Sequence, residues 1–185
     1  MGFFSGLFGK KTENVSASSK YYSIDICDDG FVINGKKLDL PIHIDAIAAV
    51  LGKPRSVSFK TNEKDREFLE DLHSEPVTKR VNYTWDELGL MCYTLNGKVV
   101  NTFGICTQPQ TNNSPSNPKG LFEGRLTING QPWLTAVMAG KDCEVMREVH
   151  MGSYLISAEY TDFEQDDATR SETSFTGLEI QLEYK

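Results

Sequence analysis

The chain has 185 residues, 39% of them hydrophobic, with ten Phe, seven Tyr and two Trp, enough for one ordinary globular unit or two small halves sharing a core. A formal net charge of −7 argues against nucleic acid or an anionic membrane bound through general electrostatics, since both need clustered Lys and Arg; it suits solubility or a basic partner. Four widely spread cysteines, Cys27, Cys92, Cys106 and Cys143, contain no Cys-x-x-Cys pair and read as reduced, buried thiols of a cytosolic protein.

Residues 1–20 divide into an apolar turn and a flexible polar linker. Phe3, Phe4, Leu7 and Phe8 are spaced like a short amphipathic turn, but the run is too short for a signal h-region or a span. Gly6 stands where the myristoylation pattern wants Ser or Thr, so no stable membrane anchor is expected.

Residues 22–27 alternate as a half-buried strand. Phe31 to Ile33 and Lys37 to Leu40 flank Asn34-Gly35, a pair that tolerates the positive φ a two-residue hairpin turn demands. Ile44, Ile47, Ala48 and Leu51 then stand at i, i+3, i+4 and i+7, with Asp45 in the first turn and Gly52 and Pro54 as the stop, which predicts a helix. Residues 55–60 alternate again as a strand. Residues 62–74 are highly charged, with Asn62 as a cap and only Phe68, Leu69 and Leu72 to seat a helix; an exposed helix or an insertion is expected there.

Residues 81–85 predict a strand, Asp86 to Gly89 a tight turn or one helical turn, and residues 90–107 a second hairpin around Asn96-Gly97. Its apolar residues fall on both faces, which fits a central pair covered on both sides or a bulge. A regular two-residue turn would set Cys92 opposite Asn101 and leave Cys106 facing the other side, so no disulfide is expected between them. Residues 108–120, QPQTNNSPSNPKG, form a polar, Pro-rich loop separating an N-terminal half, 21–107, from a C-terminal half, 121–185, the two packing as one globular unit. Residues 122–128 and 133–137 predict a third hairpin around Asn129-Gly130; residues 153–160 and 176–184 predict two more strands. The expected fold is α+β: a mainly antiparallel β-sheet with Asn-Gly hairpins and one to three short helices. Ile-Asn-Gly near the start of each half hints that the halves are related.

For chemistry the chain offers little. His43, His73 and His150 fall in no ligand spacing, and no Gly-x-Ser-x-Gly elbow, P-loop or Gly-x-Gly-x-x-Gly occurs; neither a catalytic residue, a metal ligand nor a cofactor is assigned. Trp85 and Trp133 read as core. The informative polar feature is residues 159–172, where Glu159, Asp162, Glu164, Asp166, Asp167 and Glu172 surround one arginine, Arg170, and Tyr160 and Phe163 are interleaved. Such a loop can steer a cationic surface through its acids and anchor it through its aromatics, and a solvated hairpin tip is the plain alternative. A calcium loop is disfavoured, because the EF-hand glycine and terminal Glu are missing.

Ile33-Asn-Gly-Lys-Lys-Leu-Asp-Leu-Pro41, Leu51-Gly-Lys-Pro-Arg55, Tyr83-Thr-Trp-Asp-Glu-Leu-Gly89 and Phe122-Glu-Gly-Arg-Leu-Thr-Ile-Asn-Gly130 together resemble a group of bacterial cytoplasmic immunity proteins that accompany polymorphic toxins and type VI secretion effectors. The resemblance implies an α+β protein that binds and neutralises a cognate effector toxin domain, without catalysis of its own. It carries no binding residue to a numbered position. The acidic loop is the candidate toxin-binding element, suited to a toxin with a basic cleft. The alternatives are a carboxylate-dependent enzyme working in a groove between the halves, which a strongly raised carboxylate pKa in a deep pocket would favour, and a membrane-peripheral accessory protein attached by residues 1–11.

Overall fold

The computed structural model describes residues 21–73, 75–109, 114–162 and 164–182. The expected apolar turn and linker of residues 1–20, residues 110–113 of the polar loop, Phe163 and the end of the last strand lie outside them.

In chain order the described elements are β1 (Ser23–Cys27), β2 (Gly30–Ile33), β3 (Lys36–Leu38), β4 (Ile42–His43), α1 (Ile44–Leu51), β5 (Arg55–Phe59), α2 (Glu63–His73), β6 (Arg80–Trp85), β7 (Leu90–Thr94), β8 (Val99–Cys106), β9 (Arg125–Ile128), β10 (Gln131–Pro132), α3 (Trp133–Met138), β11 (Lys141–Asp142), β12 (Met146–Met151), β13 (Tyr154–Glu159) and β14 (Gly177–Leu182). The small sheet runs β10-β9-β1-β2-β3. The large one runs β11-β12-β13-β14-β8-β7-β6-β5, with β4 also paired to β8. The fold is α+β and mainly antiparallel, as expected; among the named strands of the small sheet, β1 and β9 pair in parallel.

The large sheet is built as two four-stranded meanders, β5-β6-β7-β8 and β11-β12-β13-β14, joined antiparallel at their last strands. Each meander follows a strand, an Ile-Asn-Gly turn, a second strand and a helix, with β4 added before the helix in the first case only. The two turns also share a conformation, with φ of 49° and 80° at Asn34 and Gly35 and 49° and 73° at Asn129 and Gly130. Both grip β1: the Asn34 amide donates to the Ser23 carbonyl at one end, and the Asn129 amide to the Ile26 carbonyl towards the other. The two Ile-Asn-Gly phrases therefore form turns of the same conformation, each followed by a short strand.

Alternation in β1, β2 and β9 points Ile24, Ile26, Phe31, Ile33, Leu126 and Ile128 into one core with Leu90, Phe103, Ile105, Ile156, Leu178 and Ile180 of the large sheet. Phe31 and Phe103, fully buried, meet across it with ring centroids 4.9 Å apart. α1 occupies its expected span. The His43 Nδ1 accepts from the Asp45 amide at its start, and the Gly52 amide donates to the Ala48 carbonyl at its end. α2 is largely exposed, as its composition suggested, with Asn62 Oδ1 accepting from the Asp65 amide as its cap. Both tryptophans are buried, and the Trp85 indole donates to the Gly52 carbonyl at 2.8 Å.

Two expectations need correction, and one strand has no counterpart among the expected elements. The stretch 133–137 is not a strand but the start of α3: Pro132 leads in, and Trp133 and Val137 present an i, i+4 buried pair, a helical spacing hidden by apolar neighbours Leu134 and Ala136. The turn at Asn96-Gly97 is not a regular two-residue hairpin. Asn96 Oδ1 accepts the amides of Lys98 and Val99, and a bulge leaves Asn101 unpaired between Tyr93↔Thr102 and Thr94↔Val100, so Cys92 lies opposite Phe103 rather than Asn101. Finally, β12 was not expected; its inward set Arg147, Val149 and Met151 alternates, but the buried position nearest its start is an arginine. Cys27, Cys92, Cys106 and Cys143 are all free thiols; Cys92 and Cys106 are buried as expected, whereas Cys27 and Cys143 are only partly so.

Candidate functional site

The acidic loop between β13 and β14 is tightly organised. Arg147, buried on β12, donates from Nε to the Tyr160 hydroxyl at 2.7 Å, from Nη1 to the carbonyls of Met138 and Gly140 at 3.2 Å, and from Nη2 to Asp142 at 3.3 Å and to Asp167. Burial works against the Arg147 charge, yet the Tyr160 and Asp167 contacts hold its pKa above the ordinary value. Arg170 lies over the Tyr160 ring, 3.6 Å from its centroid, and donates to Asp167 at 2.8 Å and to the carbonyls of Asp162 and Gln165 at 3.0 and 2.7 Å. Asp167 is thus held between two guanidinium groups, and its carboxyl is kept below the usual aspartate range by Arg170 first and Arg147 second.

The eight residues singled out from sequence separate by role. Tyr160 is buried, with its ring under Arg170 and its hydroxyl on Arg147, so it is a pillar of the loop and not an exposed anchor. Asp167 belongs to the same clamp. Asp162, Glu164, Asp166 and Glu172 are exposed; Asp162 accepts from the Glu164 amide, and Asp166 caps the short 3-10 turn Asp167–Thr169 through the Ala168 amide. Glu159, exposed at the end of β13, faces away from this group into a groove. Phe163 lies outside the described residues.

That groove, about 270 Å³, lies on the face of the large sheet opposite the core, at the seam between the two meanders. Register sets Met91, Gly104, Glu179 and Ser157 in one row across β7, β8, β14 and β13. Gly104 leaves the floor open: a Cβ there would sit 3.0 Å from Met91 Cγ. Gly177 is required by backbone approach, since a Cβ would meet the Ile105 carbonyl oxygen at 2.1 Å. Met146 and Leu178 supply further apolar wall. Glu179 keeps one side open to solvent, but crowding by the neighbouring strands, with the charge of Glu159 added, pushes its carboxyl above the ordinary glutamate range. A smaller cavity of about 30 Å³ shares Met91, Gly104 and Glu179 and reaches Asn82 on β6. Asn82 Oδ1 is shut off from solvent and accepts no hydrogen bond among the described residues.

Sequence reasoning missed the groove, because Glu179 reads simply as the polar side of an alternating strand. The available signal was Gly104, a glycine in the middle of an eight-residue strand. Among the described residues no group of three or more His, Cys, Asp or Glu side chains is placed to hold a metal ion, and no helix is long and apolar enough to cross a membrane. On the far side of the fold, Arg55 grips Asp86 through two bonds of 2.7 and 2.8 Å and also donates to the Pro115 and Asn117 carbonyls, tying the Pro-rich loop to the sheet edge.

A family model described as Domain of unknown function (DUF7738) matches residues 23–141, more than half of the chain; the acidic loop and most of the groove lie beyond that span. No curated protein and no solved structure matches the chain.

Proposed function

This chain belongs to the DUF7738 family, and we propose that it is a cytoplasmic immunity protein that binds and neutralises the toxin domain of a secreted effector. The observation that carries the reading is a rigidly mounted acidic surface. Arg147, Tyr160, Asp167 and Arg170 fix the loop internally, and Asp162, Glu164, Asp166 and Glu172 project from that frame into solvent. Carboxylates fixed in place lose less entropy on binding than a mobile acidic tail, and they suit a basic cleft of the kind that handles nucleic acid or nucleotides. The resemblance of residues 33–41, 51–55, 83–89 and 122–130 to immunity proteins supports the same role. Neutralisation proceeds by occlusion of the toxin's cleft or by holding it in an inactive conformation.

The test is bacterial growth during expression of the C-terminal domain of the neighbouring effector gene, with and without this chain, followed by co-purification. Rescue and a stable complex are expected. Toxicity without rescue or binding overturns the reading. Replacing Asp162, Glu164 and Asp166 by Lys, with Asp167 retained, should slow association about tenfold at low salt and less at high salt, because exposed charges act mainly on encounter.

A second reading has one observation in its favour: Glu179, a carboxyl with a raised pKa in a groove at the seam of the halves, is the kind of group a general acid requires. The groove is open rather than deep, and among the described residues no basic side chain lines it to orient a substrate anion.

A further inference from the structure

The three Asn-Gly pairs share a latent reaction. The glycine nitrogen, stripped of its proton, can attack the side-chain carbonyl carbon of the asparagine and close a five-membered imide. Asn34-Gly35 and Asn129-Gly130 are matched in backbone, with φ of 49° and 80° in one and 49° and 73° in the other, so their surroundings decide between them. At the second pair the Gly130 amide donates to Asp25 Oδ1 at 3.0 Å, and the Asn129 side-chain nitrogen donates to Asp28 Oδ1 at 3.1 Å. Burial works against the Asp25 charge, but the bonds from Thr127 and Gly130 hold its carboxyl below the ordinary aspartate range. An ionised carboxylate touching that nitrogen opposes loss of its proton, because the amide anion would be a like charge in contact. At the first pair both protections are missing. Among the described residues neither the Gly35 amide nor the Asn34 side-chain nitrogen meets an acceptor, and nothing lies within 4 Å of a Cβ built on Gly35. Exposed Lys36, next in the chain, adds a positive charge that favours the amide anion. Asn96-Gly97 is restrained in a third way: the pair is half-buried, the Gly97 carbonyl accepts from the Tyr83 hydroxyl at 2.7 Å, and Lys79 and Val81 pack against Gly97.

We propose that Asn34 is a modification site, deamidating through the Gly35 nitrogen, and that Asp25 guards the matched pair Asn129-Gly130 against the same reaction. Solvent base takes the Gly35 amide proton and the nitrogen bonds to Asn34 Cγ. The Cγ–Nδ2 bond breaks, and Nδ2, which carries two hydrogens, takes a third from water and leaves as ammonia. Water then opens the imide at either carbonyl, giving aspartate or β-aspartate; the net reaction consumes one water, releases one ammonia and involves no oxidation or reduction. The aspartate product can still accept the Ser23 amide, which Asn34 Oδ1 accepts at 2.8 Å. The β-aspartate product lengthens the main chain by one carbon inside a two-residue turn that joins the paired Ile33 and Lys36. Ile33 is fully buried and the Asn34 amide donates to the Ser23 carbonyl, so the added length strains the corner where β1 begins and β2 ends.

The full chain is incubated at mildly alkaline pH, in native buffer and in urea, and sampled by peptide mass spectrometry for conversion of each amide to acid. In native buffer Asn34 should convert at least about tenfold faster than Asn129, and faster than Asn96. In urea, where Asp25 no longer meets Gly130, the three rates should approach one another. Asp25→Asn, which keeps the shape without the charge, should speed conversion at Asn129 alone, and Asn34→Asp should remove the dominant conversion. Aged protein carrying β-aspartate, separated by ion exchange, should melt below the Asn34→Asp variant. Native conversion at Asn129 or Asn96 as fast as at Asn34 overturns the assignment of Asn34. An Asn34 to Asn129 ratio unchanged by urea, or a folded Asp25→Asn variant with Asn129 no faster, overturns the guarding role. Should Asp25→Asn unfold the chain, all three rates would rise together, and the native and urea comparison on the parent protein decides.

Discussion

Replacing Arg147 with Met removes the guanidinium that joins the acidic loop to the sheet while retaining most of the aliphatic bulk. Five contacts disappear: the Tyr160 hydroxyl, the Met138 and Gly140 carbonyls, Asp142 and Asp167. Breaking a buried ionic cluster by removing one member typically costs about 3–5 kcal/mol. Here the side chain of Arg147 is only 8% exposed, but those of Asp142 and Asp167 are 52% and 48% exposed and can rehydrate, so the lower end applies. The remaining cost falls on the Tyr160 hydroxyl and the two carbonyls, giving about 2–3 kcal/mol. For a chain of this size that corresponds to a fall in Tm of about 4–12 °C. Urea midpoints and thermal melts measure it, and limited proteolysis should show faster cutting within residues 160–176. A variant whose Tm stays within about 2 °C of the parent, with unchanged proteolysis, would refute the assignment of Arg147 as the loop's anchor.

Glu179→Gln should raise the Tm of the isolated protein at neutral pH. The raised folded pKa of Glu179 means that folding binds a proton more tightly than the unfolded chain does, so its ionisation penalises the fold above the ordinary value of 4.5, and the gain should shrink as pH falls toward it. Asp86 has the opposite sign. The hydrogen bond from Arg55 lowers its folded pKa, so its stabilisation is present above 3.8 and lost as pH falls through the lower folded value; Arg55→Ala should flatten that part of an acid-unfolding curve. Gly177→Ala forces a Cβ to within 2.1 Å of the Ile105 carbonyl oxygen at a φ of +157°, so a loss of about 3 kcal/mol or outright misfolding is expected by denaturant melt, and a near-neutral result would mean that the β8/β14 approach is looser than described.

Local sequence signals are legible where the chemistry is local. Asn34-Gly35 and Asn129-Gly130 dictate positive φ, Ile44 to Leu51 repeat at helical spacing, and Asn62 caps α2; each feature is where its residues place it. The errors arose where tertiary packing outweighed pattern. Residues 133–137 are apolar at four of five positions, which leaves periodicity mute, and only the i, i+4 burial of Trp133 and Val137 decides for helix. The parallel pairing of β1 with β9 joins residues about a hundred positions apart, and nothing in either strand announces it. The acidic loop was legible as a charge cluster but not as a clamp. Composition counts the carboxylate of Asp167 with its neighbours; only the fold brings Arg147, from a strand before the loop, to claim it.

The joining of two meanders at β8 and β14 accounts for where these features collect. In the first half the last two strands of the meander, β7 and β8, are joined by residues 95–98; in the second, β13 and β14 are joined by residues 160–176. The acidic loop is the longer of these two connections, and since β14 and β8 are neighbours, it enters the sheet beside the seam. At the same seam the cross-strand partners are Gly104 and Glu179, one with no side chain and the other with a carboxylate that the surrounding strands desolvate. A side chain at the first position would press on Met91, whereas a neutral residue at the second would remove the cost of ionisation there. The glycine thus reflects the packing of Met91, while the loop is fixed from the inward side of the sheet by Arg147, with Arg170 stacked on Tyr160.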